Sequence, residues 1–262
     1  MATMTQHAPG TFCWPELATS DAAGAKKFYG TLFGWQFEDS DMGEGMTYTM
    51  IQHKGNTVGA LYGQKPEDQK RMPPHWGAYV SVESADRSAA KAKELGGTLL
   101  MEPFDVMDAG RMAVIQDPTG AIFSVWEAKK HNGATMLDEP GSLTWTELMT
   151  PNTDKASAFY TGLLPWKTES VQYPNMAYTM FQRGDRSAGG MMPILPEQLG
   201  QVPPNWLSYF AVEDVETTVP KAQQLGATVI VPAMTIPSGG KFAVFRDPAG
   251  AHFGIYQAPK SA

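Results

Sequence analysis

The 262-residue chain lacks most of the features that assign a function at sight. It has one cysteine, Cys13, so no disulfide can close within it, which fits a reducing compartment. No apolar run approaches the ~18 residues of a bilayer-crossing helix. The first ten residues, MATMTQHAPG, have neither a basic start nor an apolar stretch and do not read as a secretory signal. Basic residues are not in excess: 20 Lys and Arg stand against 27 Asp and Glu, for a formal charge of −7 with the signs interspersed. That balance argues against nucleic acid or an anionic membrane surface as partner. With 42% apolar residues a packed core is available. The expectation is a cytoplasmic globular protein, monomer or homodimer, whose partner is a small molecule.

What the chain has in place of these features is repetition. Trp14 and Glu16 recur as Trp145 and Glu147, and Phe28-Tyr29 as Phe159-Tyr160. LFGW at 32–35 returns as LLPW at 163–166, YTM at 48–50 as YTM at 178–180, and PPHW at 73–76 as PPNW at 203–206. ELGGT at 94–98 returns as QLGAT, and DPTGAIF at 117–123 as DPAGAHF at 247–253. The offset is 131 residues early and 130 later, so one deletion separates two domain-sized copies. They are placed at 10–129 and 141–259, joined by the polar segment KKHNGATMLDEPG.

Each copy divides again. Residues 11–19 read as a strand, and Ser20 or Asp21 can cap the helix that follows. Phe28, Tyr29, Leu32 and Phe33 lie at helical spacing on its buried face, and Gly34 ends it. Strand-like runs follow at 35–39, 46–53 and 56–62, then a break at QKPEDQKRMPP. The order repeats with a strand at 76–82, a helix capped by Ser84 that stops at Gly96-Gly97, and strands near 98–103, 111–116 and 121–127. DPTG has the Asp, Pro and Gly of a type I turn. In the second copy Pro220 should kink its helix or delay its start. The whole is α+β: four βαβββ modules, taken in pairs, each pair curling its sheet into a cup.

On ELATSDAAGAKKFYGTLFGW, VSVESADRSAAKAKELGG and DPTGAIFSVWE, each with its partner in the second copy, the chain resembles the vicinal oxygen chelate superfamily of glyoxalase I, extradiol dioxygenases and bleomycin-resistance proteins. It is most similar to tandem two-domain members labelled glyoxalase-like or hydroxylase-like. The resemblance implies paired βαβββ modules around a cup, frequently with a divalent metal at its base. It also implies where the metal ligands stand: a His or Gln on the first strand, a His on the fifth, and a Glu on the last. Here those positions hold Trp14, Gly77 and Ser124, and in the second copy Trp145, Leu207 and Gly254. None is a usable ligand, since an indole offers only an N–H. The expectation is therefore no metal and no other cofactor, though a divalent ion held by other ligands stays open.

Residues two apart on a strand share a face. If Trp14 points into the cup, so do Glu16, Ala18, His75, Gly77, Tyr79, Ile122, Ser124 and Trp126. The second set is Trp145, Glu147, Asn205, Leu207, Tyr209, His252, Gly254 and Tyr256. Such an aromatic cup suits a flat or amphipathic ligand. Glu16 and Glu147 are the candidate catalytic groups, because a poorly solvated carboxyl titrates nearer neutral pH; the plainer alternative is a Glu that pairs with a cation or caps a backbone group. Trp14, His75, Tyr79, Trp126, Trp145, Asn205, Tyr209, His252 and Tyr256 are candidate ligand-binding residues. Arg111 and Lys241, in DAGR and SGGK, could meet an anionic ligand group at the cup rim. Cys13 is expected to pack on the face opposite Trp14. Two functions stay open: metal-free binding of a small hydrophobic or aromatic molecule, or lyase, isomerase or hydrolase chemistry with Glu16 or Glu147 as acid/base.

Overall fold

The computed structural model describes residues 6–259 apart from 44, 71, 174–175 and 201. The first half runs β1 (Phe12–Thr19), α1 (Ala22–Phe33), β2 (Gln36–Asp41), β3 (Thr47–His53), β4 (Asn56–Gly63), a one-turn α2 (Pro66–Gln69), β5 (His75–Ser81), α3 (Ala85–Glu94), β6 (Thr98–Val106), β7 (Gly110–Gln116) and β8 (Ile122–Ala128). The second runs β9 (Leu143–Thr150), α4 (Thr153–Leu163), β10 (Lys167–Tyr173), β11 (Met176–Arg183), β12 (Arg186–Pro193), β13 (Asn205–Ala211), α5 (Val215–Gln224), β14 (Thr228–Thr235), β15 (Lys241–Arg246) and β16 (His252–Gln257). Among the described residues no helix is long and apolar enough to cross a membrane.

The helix ends follow local chemistry. Asp21, Ser84, Asn152 and Asp214 each accept a backbone N–H of the first turn. Gly34 takes the left-handed conformation, φ 74°, at the close of α1. Pro220 does not delay α5, which begins at Val215, the counterpart of Ala85; the proline lies inside the helix.

Each half closes one eight-stranded sheet, in the orders β2-β3-β4-β1-β5-β8-β7-β6 and β10-β11-β12-β9-β13-β16-β15-β14. The antiparallel pairs β1–β5 and β9–β13 form the centres. Each sheet is the expected pair of modules side by side.

The helix-side cores do not divide at the joining segment. One cluster combines Val80, Ala89, Ile115 and Phe123 of the first half with Phe159, Tyr160, Trp166 and Trp206 of the second. The other combines Phe28, Tyr29, Trp35 and Trp76 with Phe210, Phe245 and Phe253. Burying side chains of this size contributes about 1.5–3 kcal/mol each. Each half therefore depends on the other for its helix-side core, and the two cups face away from that shared interior.

Candidate functional site in the two cups

The central strands set the floor of each cup. Trp14 stands opposite Tyr79, and Glu16 opposite Gly77, in the β1–β5 pairing. The Glu16 carboxylate accepts the Tyr48 hydroxyl at 2.6 Å on Oε1 and the Tyr79 hydroxyl at 2.7 Å on Oε2. Trp14 Nε1 donates to the Tyr48 oxygen at 3.3 Å. The arrangement is repeated in the second cup, where Glu147 accepts from Tyr178 at 2.8 Å and Tyr209 at 3.0 Å, and Trp145 Nε1 donates to Tyr178 at 3.0 Å. Tyr48 and Tyr178, on β3 and β11, were not among the candidates; the repeated YTM carried the signal that could have found them.

Burial pushes the Glu16 and Glu147 carboxyls above the ordinary carboxylate value, against the pull of the tyrosine hydrogen bonds. The same burial, with the carboxylate alongside, pushes the Tyr79 and Tyr209 hydroxyls well above theirs, so both stay protonated donors. The group is a buried carboxyl between two fixed phenols. It can accept hydrogen bonds from a bound molecule, or exchange a proton with one.

Trp126 stands 6.5 Å from Tyr79 between ring centroids, and Phe242 stands 6.3 Å from Tyr209. Trp14, Tyr79, Met112 and Trp126 form one buried cluster; Leu207, Tyr209 and Val244, flanked by Trp145, Phe242 and Tyr256, form its counterpart. His252 is exposed, two residues before Gly254 and thus on the same face, opposite Arg246 in the sheet. His75 and Asn205 turn back on their own strands, donating to the Pro73 and Pro203 carbonyls at 2.8 Å.

Two expectations are corrected. Arg111 and Lys241 do not stand at the cup rims. Arg111 alternates with the cup-facing Met112, is held at 2.6 Å to Asp86 of α3, and is bonded also to Asp105. Lys241 is held at 2.7 Å to Glu216 of α5. Both cations tie a covering helix to its sheet. Cys13 is not opposite Trp14: the register of β1 shifts between Phe12 and Trp14, and the extra residue brings Cys13 into the same cluster. Burial raises its thiol to about 12, which leaves it unreactive.

The positions at which the superfamily resemblance would place metal ligands contain no imidazole or carboxylate, and both oxygens of each cup glutamate already accept from tyrosines. Among the described residues no group of three or more His, Cys, Asp or Glu side chains is arranged to hold a metal ion. A groove of about 590 Å³ lies elsewhere, between α3 and Leu163–Pro165; its Arg87 and Lys91 are ion-paired with Glu83 and Glu94.

The Glyoxalase/Bleomycin resistance protein/Dioxygenase superfamily description matches residues 11–125 and again 142–255. The chain is 40% identical over 258 residues to the "Putative glyoxylase CFP32" of Mycobacterium tuberculosis, covering 97% of both chains. It is 34% identical over 267 residues to the "Anthracycline biosynthesis protein DnrV" of Streptomyces peucetius, covering 97% of this chain and 95% of that one. In fold it is similar to the Mn(II)-bound glyoxalase from Novosphingobium aromaticivorans, with TM-score 0.67 at 15% identity over 95% of this chain and 82% of that one. Two matched halves and relatives aligned over almost the whole length lead to one conclusion: the chain belongs to the glyoxalase/bleomycin resistance protein/dioxygenase superfamily, as a tandem member.

Proposed function

We propose that the protein binds a small hydrophobic or aromatic molecule in an aromatic-walled cup, with the glutamate–tyrosine–tyrosine group as its polar floor and without the metal ion common in its superfamily. The observation that carries this reading is a carboxylate held between two phenols, built twice: Glu147 between Tyr178 and Tyr209, and Glu16 between Tyr48 and Tyr79. A buried carboxyl is costly unless its oxygens are occupied. Two phenols set to occupy them, ringed by indole and phenyl faces, form a site that orients a flat amphipathic molecule by a small number of polar contacts. Relatives named for anthracycline biosynthesis point the same way, since an anthracycline is a fused-ring aromatic compound.

The donor set does not fit a divalent cation. Such an ion needs several oxygen or nitrogen ligands, whereas each cup brings one carboxylate, with the hydrogens of two phenols directed at it. Metal analysis of protein purified without chelators or a metal-binding tag tests this directly. No stoichiometric metal is expected; one or two equivalents of a divalent ion would show that other ligands assemble a site.

A second reading is favoured by the upward shift of the Glu16 and Glu147 carboxyls, which suits a general acid or base in lyase, isomerase or hydrolase chemistry. It requires that the bound compound be converted, with a pH–rate profile that moves when the glutamate is changed to Gln. Binding without conversion, or a profile indifferent to the change, counts against it.

A further inference from the structure

The two cups share a plan, and the chain treats them differently. After β8 the joining segment doubles back along the first cup. Lys129 and His131 donate their backbone N–H groups to the Ala109 carbonyl at 3.0 and 2.9 Å, Ala134 donates to Cys13 at 2.8 Å, and Thr135 to Thr57 at 2.8 Å. Trp126 Nε1 donates to the His131 carbonyl at 2.9 Å. The His131 ring stands edge-on to Trp14, 4.4 Å between centroids, and 5.9 Å from Trp126. Both indoles are left almost without solvent, 4% and 6% exposed. Among the described residues His131 Nε2 is buried with no hydrogen-bond partner, and its ring fills the space between two indoles.

The second cup is more open along its wall than at its floor, where Tyr209 is as buried as Tyr79. Trp145 and Tyr256, the counterparts of Trp14 and Trp126, are partly exposed. Met234, beside Phe242 in the sheet, is 51% exposed. Two floor positions have lost their side chains: Gly190 stands where the first cup has Ala60, and Gly254 where it has Ser124. A Cβ at either glycine would collide with Tyr178 or Tyr209, so these rings lie closer to the sheet than an alanine or serine floor permits.

Three hydrogen bonds of this floor run in one direction. The Trp145 N–H goes to Tyr178, and the Tyr178 and Tyr209 hydroxyl hydrogens go to Glu147. A carboxylate accepts about four hydrogen bonds, of which these use two. The spare capacity at Glu147 is for accepting.

We propose that the second cup alone is the ligand site, the first being closed by the joining segment, and that the ligand presents a hydroxyl on an aromatic ring to Glu147. This rests on the binding reading above and adds the cup and the chemistry of the ligand.

Isothermal titration with 2-naphthol, and with 2-methoxynaphthalene as the same ring system without the donor, tests it. One equivalent of 2-naphthol per chain is expected, with the methyl ether binding roughly tenfold or more weakly, the worth of one hydrogen bond to a charged group. Trp145→Ala is expected to weaken 2-naphthol by at least a similar factor. His131→Ala, or Trp126→Phe if the first does not fold, loosens the segment over the first cup and raises the stoichiometry from one to two. Two equivalents on the unaltered chain, one equivalent indifferent to Trp145→Ala, or equal affinity for the two probes overturns the assignment while leaving an aromatic-binding protein. If neither probe binds, the binding reading falls and this inference with it.

Discussion

The Tyr29 hydroxyl donates to the Asp247 carboxylate at 2.9 Å, across 218 positions of the chain. Tyr160 donates to Asp117 at 2.9 Å in the equivalent contact of the repeat. The other oxygen of each aspartate ties its own turn, accepting from the N–H groups of Thr119, Gly120 and Ala121 or of Ala249, Gly250 and Ala251. Trp76 and Trp206 donate in turn to the two tyrosine oxygens at 3.0 and 2.8 Å. The repeated Phe-Tyr of one half thus clasps the repeated Asp-Pro turn of the other, and the tyrosine, tryptophan and aspartate side chains are buried.

Tyr29→Phe and Tyr160→Phe keep the ring and remove the hydroxyl. Each leaves a buried aspartate oxygen and an indole N–H without a partner, at a cost of about 1–3 kcal/mol. Urea unfolding is expected to show the loss as a lower midpoint at similar slope. An unchanged midpoint would show that water replaces the hydroxyl at no cost.

The shared cores bear on the halves in isolation. Residues 1–130 expressed alone expose the Phe28–Tyr29 face and the Phe123–Val125 strand, both covered by the other half in the full chain. Such a fragment is expected to aggregate or dimerise, and to give a soluble one-to-one complex when co-expressed with the second half. A monomeric fragment with a cooperative unfolding transition would contradict this.

The cup glutamates give a signed pH dependence. Their carboxyls are raised in the fold by burial, so near pH 4 folded and unfolded chains both hold the proton and the shift has no cost. As pH climbs past the unfolded value of about 4.3 the unfolded chain releases its proton first, and stability is lost until the folded pKa is passed. Glu16→Gln and Glu147→Gln remove this term. The melting temperature of either variant relative to the parent is therefore expected to improve as pH rises from about 4 to about 8. A difference that is flat, or that moves the other way, would mean that the tyrosine hydrogen bonds outweigh burial.

Gly254→Ala places a methyl group against the Tyr209 ring. Overpacking of this kind costs about 1–3 kcal/mol and here would draw Tyr209 away from Glu147. Reduced stability together with weaker ligand binding is expected from thermal melts and titration; loss of stability alone would separate the tyrosine from the site.

Much of this was legible in the chain. Strand alternation put Trp14, Glu16, Tyr79 and Trp126 on one face because a two-residue period is a property of the backbone, and the caps at Asp21 and Ser84 are local choices. What depended on distant partners was not legible. Arg111 looked like a rim cation because nothing in its neighbourhood announces Asp86 on the covering helix. Cys13 changed sides because one inserted residue reverses an alternation pattern. The joining segment reads as a polar linker, and only its placement over Trp14 and Trp126 shows it as part of a cup wall. Tyr48 was visible in the repeat and missing from the candidates because β3 lies two strands away from β1 in the sheet.

The most direct test of the central claim is a titration of 2-naphthol, in the presence of excess EDTA, into the parent protein and Glu147→Gln. Binding that persists in EDTA and weakens roughly tenfold on neutralising the carboxylate is expected, since a hydrogen bond to a charged acceptor is about twice as strong as one to a neutral amide. Binding abolished by EDTA and restored by a divalent metal, or affinity indifferent to the loss of the Glu147 charge, would contradict a metal-free cup built on that carboxylate.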